Sequence, residues 1–450
     1  MKRPRDGAWT WLGSVGRLGR HPALRWILPA QLVSALGDGM SMVAVAWLAV
    51  QLAPAGQAGV WTGLAIAAYT LPAPLGAALL ARLMRRLRAA QLIAADASVR
   101  AFTLGTVAVL AVTGLLHPVA YVALLAVSSL LHAWGNAGVY TLVAEVLPEE
   151  DQVTGNALLS TFAQSAFVVG PALAGGLTAL AGPGWVIGVD AASFAVLAVA
   201  AWALAARQAT DAATATAADS PQAPASGGWR AILDRPRLLG LLVVTCAFFF
   251  LYGPVEVALP VHVAHGLHGS PGLLGLYWTA FGIGATVGSL GAVLLRRRAP
   301  WRVVVAIVVG WGAALLPLGL TDAVAPGLAG FAAGGLIYGP FTAISTALFQ
   351  RGTPPHVLSR VLAARSALTA PATGLGTLVG GPLVTAVGGR HTLLISALLT
   401  IALGLSVAAV LRLSRRTAGT GPAAAPTPGR AAQEDLLVGA GAAPASRHLP

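Results

Sequence analysis

The side chains in this sequence best placed to do chemistry are charges set inside long apolar runs. Asp38 falls near the middle of the first run (26–52), Asp96 and Arg100 lie in the third (90–115), and Glu256 lies in the seventh (238–263). An unpaired charge at the centre of a membrane helix costs about 2.5–3.5 kcal/mol even on the lenient insertion scale, so each needs a counter-charge, a proton or a ligand. Desolvation disfavours a charged carboxyl group, which suits Asp38 to reversible proton carriage. A structural hydrogen bond to a neighbouring helix is the other reading. Glu256 sits within about a turn of the place that an internal repeat would pair with Asp38. It is either a second proton-coupling acid facing a cavity or a carboxylate at the wet outer end of its helix. Asp96 and Arg100 are spaced i, i+4, so they are expected to form an ion pair within one helix, with a proton relay as the alternative.

Other chemistry is not encoded in recognisable form. The sequence has no glycine-rich phosphate loop ending in Lys-Ser/Thr, no His-Glu-x-x-His, no Gly-x-Ser-x-Gly and no paired aspartate cluster for diphosphate and magnesium. Neither an enzyme nor a cofactor is expected. His262, His265 and His268 have no carboxylate or cysteine beside them, and their spacing around a helix end spreads the rings, so no metal site is expected. Gln31, Ser34, Trp134, Asn136, Tyr140 and Tyr252 are the polar and aromatic residues expected to line a cavity for cargo, with Phe248, Phe249, Phe250 and Trp278 as further aromatic walls.

The elements that must hold these residues follow from composition. Of 450 residues, 56% are hydrophobic and only 10% charged, more apolar surface than one soluble core can hide. A bilayer span takes about 20 apolar residues, and the runs resolve into twelve all-α spans between residues 26 and 411. The net charge of +13 sits at the ends of those runs and not on a polar domain, so it marks topology and not a nucleic-acid partner. Lys and Arg fall almost entirely on loops of one parity, with Arg100 and Arg390 the exceptions. By the positive-inside rule both termini are expected in the cytoplasm. Residues 1–25 read as a cytoplasmic N-terminal segment, 26–206 as an N-terminal six-helix bundle, and 207–237 as a linker of small polar residues. Residues 238–413 read as a C-terminal six-helix bundle and 414–450 as a disordered tail.

The two halves share a design. The fifth span, within 160–182, carries Gly170, Pro171, Gly175 and Gly176, and the eleventh, 374–389, carries Gly380 and Gly381 in the same place relative to the next apolar run. Glycine and proline weaken a soluble helix, but between helices in lipid the missing side chains allow close backbone contact. These helices should therefore pack where the copies meet.

The segments QLVSALGDGM (31–40), GAALLARLMRRLR (76–88), DASVRA (96–101), LPEEDQVTGNAL (147–158), VVGPALAGGL (168–177), DAASF (190–194) and TPPHVLSRVLAA (353–364), in this order and spacing, resemble the major facilitator superfamily. Within it, the chain is similar to exporters of the macrolide-efflux and enterobactin-export kind. The resemblance implies two pseudo-symmetric six-helix bundles, a cavity lined by spans 1, 4, 7 and 10, and an antiporter-like Gly-Pro motif in span 5 that favours export. Two features depart from the family pattern. Ala81 and Met84 stand where the loop between spans 2 and 3 usually has aspartate and glycine, which leaves Arg82, Arg85, Arg86 and Arg88 as half of a gating latch or as a plain positive-inside anchor. Span 4 also lacks the arginine common in drug and proton antiporters. Glu149 and Glu150, in the loop after span 4, and Arg351 and Arg360, before span 11, are expected either to pair across the halves as a cytoplasmic gate or to be ordinary solvated charges.

The sequence thus points to a multi-pass protein of the cell membrane, a monomer in the lipid bilayer. It is read as a secondary active, proton-coupled exporter of a small amphipathic molecule (a drug, natural product or siderophore) by alternating access. Importer, lipid flippase and uniporter remain open on the same fold, and a membrane-embedded enzyme is the reading from another class.

Overall fold

In a computed structural model, residues 18, 21–84, 86–212, 228–295 and 298–419 are described, and all regular structure among them is helical. Most of the N-terminal segment, Arg85, residues 213–227 of the expected linker and residues 420–450 of the expected tail lie outside the described residues. Eleven continuous helical stretches are long and apolar enough to cross a bilayer, and the last, Arg360–Leu413, is two helices parted at Gly388. That gives twelve spans among the described residues. They are α1 (Ile27–Leu52), α2 (Ala58–Leu79, kinked at Pro72), α3 (Ala89–Val112), α4 (Pro118–Val146, broken at 130–131), α5 (Glu149–Ala181) and α6 (Pro183–Ala212), followed by α7 (Pro236–Val261, prolonged by a π-helical turn His262–Gly266), α8 (Pro271–Leu295), α9 (Pro300–Leu320), α10 (Val324–Gly352), α11 (355–387) and α12 (389–419). Pro118, Pro236 and Pro300 open their helices, where the missing N–H has no intrahelical partner to lose. Residues 1–405 form one compact unit; the second unit begins at Ser406, and its described part is helical.

The structure revises several expected boundaries. The sixth helix runs to Ala212, into the stretch taken as linker. Glu149 and Glu150 belong to the first turn of α5 and not to a loop, and Arg351 belongs to the last turn of α10. The helix dipole accounts for both placements, because carboxylates favour a helix N-terminus and guanidinium groups a C-terminus.

Close crossings at glycine hold the helices together in two matched sets. In the first half α1 crosses α5 at Gly39 and Gly170; in the second α7 crosses α11 at Gly253 and Gly376. Between the halves, a Cβ on Gly175 of α5 would lie 3.1 Å from Gly272 Cα of α8, and one on Gly63 of α2 would lie 2.9 Å from Gly381 Cα of α11. The turns after α5 and α11 are also copies, with Gly182 at φ 89°, ψ 161° and Gly388 at φ 83°, ψ 162°, angles that only glycine adopts without strain. One constant offset relates Gly170 to Gly376, Gly175 to Gly381 and Gly182 to Gly388, so the paired glycines of the two helices match one residue out of the expected register. The turn glycines fix that register. Gly176 meets nothing within 4 Å, whereas Gly380 packs on Pro254 of α7.

Candidate functional site

The crossing of α1 and α5 at Gly39 places its neighbour Asp38 in a polar network contributed by α1, α2, α3 and α4. Arg100 of α3 is 2% exposed and Asp38 is 33% exposed. The guanidinium holds the carboxylate through two contacts, Nη1 to Oδ2 at 3.1 Å and Nη2 to Oδ1 at 3.0 Å. Paired contacts of this kind are the strong form of a charged hydrogen bond. Tyr69 of α2 closes the ring, donating to Asp38 Oδ1 at 2.8 Å and accepting from Arg100 Nη2 at 2.7 Å. Phe194 of α6 lies under the guanidinium, 4.4 Å from ring centroid to Cζ, a cation–π contact.

This arrangement corrects the expected ion pair within α3. Arg100 reaches across to Asp38, and Asp96 Oδ1 is left buried without a hydrogen-bond partner. The two side chains share a helix face, but Asp38 and Tyr69 offer Arg100 a larger set of acceptors than one carboxylate a turn away. His132 of α4 lies against both groups. Arg100 Nη1 lies 3.1 Å from His132 Nδ1. Asp96 Oδ2 approaches the same Nδ1 at 3.8 Å. Asp96 also fills the space left by Gly135 of α4, where a Cβ would collide with its carboxylate.

A second buried acid, Asp190 of α6, is fully enclosed. Ser41 of α1 donates to its Oδ2 at 2.5 Å and Ser193 to its Oδ1 at 3.4 Å, and Gly37 leaves room for the carboxylate. The Ser41 contact fastens α6 to α1.

In the second half the position matching Asp38 is Tyr252, because Gly253 is the counterpart of Gly39; Glu256 lies one turn further along α7. Tyr252 is buried and stacks on Tyr338 of α10, with centroids 6.0 Å apart, and both rings pack against Trp311 of α9. Phe248, Phe281, Phe331, Phe341 and Trp278 extend the cluster. Glu256 is partly exposed and has no hydrogen bond or ion pair among the described residues.

The remaining residues singled out in the sequence separate by environment. Asn136 and Tyr140 are exposed one turn apart on α4, Ser34 is buried, and Gln31 has its Oε1 buried without a partner. Trp134 donates from Nε1 to the Gly76 carbonyl at 3.2 Å, so it fastens α4 to the kinked end of α2. Arg82 and Arg86 are exposed, and Arg88 bonds the Gln208 carbonyl at 2.9 Å, joining the start of α3 to the end of α6. Glu149, Glu150 and Arg351 are exposed, and no ion pair joins them to each other or to Arg360 among the described residues. Two residues were missed in the sequence. Arg365, counted there as a loop cation, lies within α11 and donates to Ser345 and Thr346 of α10 at 2.9 and 2.7 Å. Arg390, the exception to the charge asymmetry, caps α9 through the Gly319 and Leu320 carbonyls and pairs with Asp322 at 2.6 Å. A lone arginine beside a helix C-terminus was the available signal.

Residues 27–370 match the family profile of the Major Facilitator Superfamily. The chain belongs to that superfamily. It is therefore a transporter and not an enzyme. The multidrug efflux pump Tap of Mycobacterium tuberculosis is 32% identical over 408 residues, which cover 86% of this chain and 92% of Tap. An uncharacterized superfamily transporter of Sinorhizobium fredii, y4rN, is 29% identical over 254 residues, 56% of this chain and 62% of that one. Among solved structures the nucleoside transporter NupG aligns with a TM-score of 0.69 at 14% identity, over 87% of this chain and 99% of NupG. A bacterial homologue of the iron transporter ferroportin, in an inward-facing state, aligns at 0.63 and 16% identity, over 85% of this chain and 98% of that one. These two structures share the superfamily fold with this chain.

Proposed function

We propose that this superfamily member is a proton-coupled exporter of small amphipathic molecules, a monomer of the cell membrane with both termini in the cytoplasm. The observation that carries the coupling is the unequal burial of the Asp38–Arg100 pair: the cation is enclosed while a third of the carboxylate side chain is exposed. A proton can reach Asp38 without entering the protein core. Protonation removes the counter-charge of a buried guanidinium, a change that costs about 3–5 kcal/mol when such a pair is broken by removing one partner. Asp96 offers the relief. Its free Oδ1 stands one helical turn from Arg100, so the guanidinium exchanges Asp38 for Asp96 as the proton binds. Helices α1 and α3 thereby have two arrangements whose balance depends on a proton, which alternating access requires.

Several features support the direction and the state. The efflux activity named for Tap favours export, and the bias of Lys and Arg supports the orientation. The halves touch near the start of α2 and the end of α11, at the end of the bundle away from the arginine-rich loops, where the Val60 N–H donates to Thr385 Oγ1 at 3.2 Å. With the termini inside, these contacts between the halves lie on the exterior side of the membrane.

The test is transport of a panel of amphipathic dyes and antibiotics into inside-out vesicles, with and without an imposed pH gradient. Accumulation that needs the gradient is expected; accumulation independent of every gradient would mean facilitated diffusion.

A further inference from the structure

On the outside of the first half a groove of about 470 Å³ runs between α1 and α6, towards the arginine-rich end from the Ser41–Asp190 contact that ties the two helices. Ile27, Ala30 and Leu204 form its buried floor, while Val33, Val196 and Val199 wall it and are 50%, 57% and 71% exposed. From Val196 to Arg207 it covers about 16 Å of α6 at 1.5 Å per residue, which matches the ~15 Å that one leaflet contributes to a hydrocarbon core about 30 Å thick. Its polar end is basic. Arg207 lines it there, and Arg25 lies 5.9 Å over the ring of Trp26, an indole that lines the groove and is 65% exposed. Among the described residues neither guanidinium has an ion pair, and no acid lines the groove. Plain topology anchors need only water around them, and these two sit instead at the mouth of an apolar slot one leaflet long. Guanidinium groups bind phosphate through paired N–H donors, and an exposed Trp beside them suits the headgroup layer. A zwitterionic headgroup brings its own ammonium, so two arginines with no acid beside them select a headgroup of net negative charge.

We propose that the α1–α6 groove is a binding site for an anionic phospholipid, with one acyl chain laid along the two helices and the phosphate held by Arg207 and Arg25. The proposal goes beyond the exporter reading and does not rest on it; only the leaflet that supplies the lipid, the cytoplasmic one, follows from the orientation given above. A seated chain braces α1 against α6 over the stretch that the Ser41–Asp190 contact does not reach, on the helix that carries Asp38.

The test is photolabelling of the full-length protein in nanodiscs of neutral lipid, doped with phosphatidylglycerol that carries a diazirine in one acyl chain or with phosphatidylcholine that carries the same chain. Adducts are mapped by peptide mass spectrometry. Labelling of residues 26–33 and 196–204 by the phosphatidylglycerol is expected to be at least fivefold stronger than by the phosphatidylcholine. Arg207→Gln combined with Arg25→Gln should bring it down to the phosphatidylcholine level. Ala200→Trp, which fills the groove and keeps both arginines, should lower it at least threefold. The first comparison uses the unaltered protein, so it stands even if a variant fails to fold. Equal labelling by the two lipids would make the groove an ordinary lipid-facing surface, and a preference retained without the arginines would remove them from the site. A preference that survives Ala200→Trp would mean attraction of headgroups to the surface alone, and no label in the groove from either lipid would mean that protein covers it. Each of these results would overturn the proposal.

Discussion

Arg100 has two carboxylates within its reach and holds one of them. That choice gives Asp96 a testable role distinct from stability. Asp96→Asn leaves the Asp38–Arg100–Tyr69 ring intact, so its melting temperature in detergent should stay within a few degrees of the parent. If Asp96 receives the guanidinium when Asp38 is protonated, gradient-driven efflux should fall at least tenfold; a purely structural Asp96 would show the reverse pattern, a lowered melting temperature with transport per folded molecule unchanged. Tyr69→Phe removes a hydroxyl that both members of the pair use. A hydrogen bond to a charged group contributes about 1.5–3 kcal/mol, so this variant should lose stability and transport more weakly than the parent. Asp38, Asp96 and Arg100 were legible in the sequence as charges in apolar runs. Their partnership was not, because i, i+4 spacing is visible along one helix while the rotation of α1 against α3 is set by packing at residues distant in sequence.

Helices α5 and α11 are the elements that the repeat makes comparable. Gly182→Ala and Gly388→Ala each force a β-carbon into a positive-φ turn, and each should lower stability by about 1–2 kcal/mol, measured by thermal melting. Comparable losses at both positions would support their equivalence, and a loss at one alone would argue against it. Gly63 serves a different purpose, since its α-carbon faces the backbone of α11. Gly63→Leu should disfavour the state in which α2 and α11 touch, and a cysteine introduced at Val60 should then react faster with a membrane-impermeant thiol reagent added from outside. The Gly-Pro signature and the doubled design could be read from residue types alone. The register could not, because Gly175-Gly176 and Gly380-Gly381 look equivalent in sequence and only the turn angles show that Gly175 matches Gly381.

At the scale of the whole molecule, the twelve spans and their pairing in two bundles were legible because each run had to be long and apolar enough to cross a bilayer. The charge asymmetry was equally readable, and its exception Arg390 became intelligible only as the cap of α9. The ends of the helices were harder, since helix dipoles draw Glu149 and Glu150 into a first turn and Arg351 into a last one. Among the described residues these charges do not pair across the halves, so the gate reading requires that they pair in the opposite conformation. Glu149→Gln combined with Glu150→Gln should then favour the present state, with labelling of a cysteine near the arginine-rich end rising by up to about thirtyfold for a loss of about 1 kcal/mol at each of two exposed pairs. Unchanged labelling would reduce the four residues to solvated charges. The central claim is that a proton on Asp38 drives the exchange between states. Its most direct measurement is pH-gradient-driven efflux by Asp38→Asn in inside-out vesicles, normalised to folded protein: the account expects coupled transport to be abolished at near-normal abundance, and full activity of that variant would contradict it.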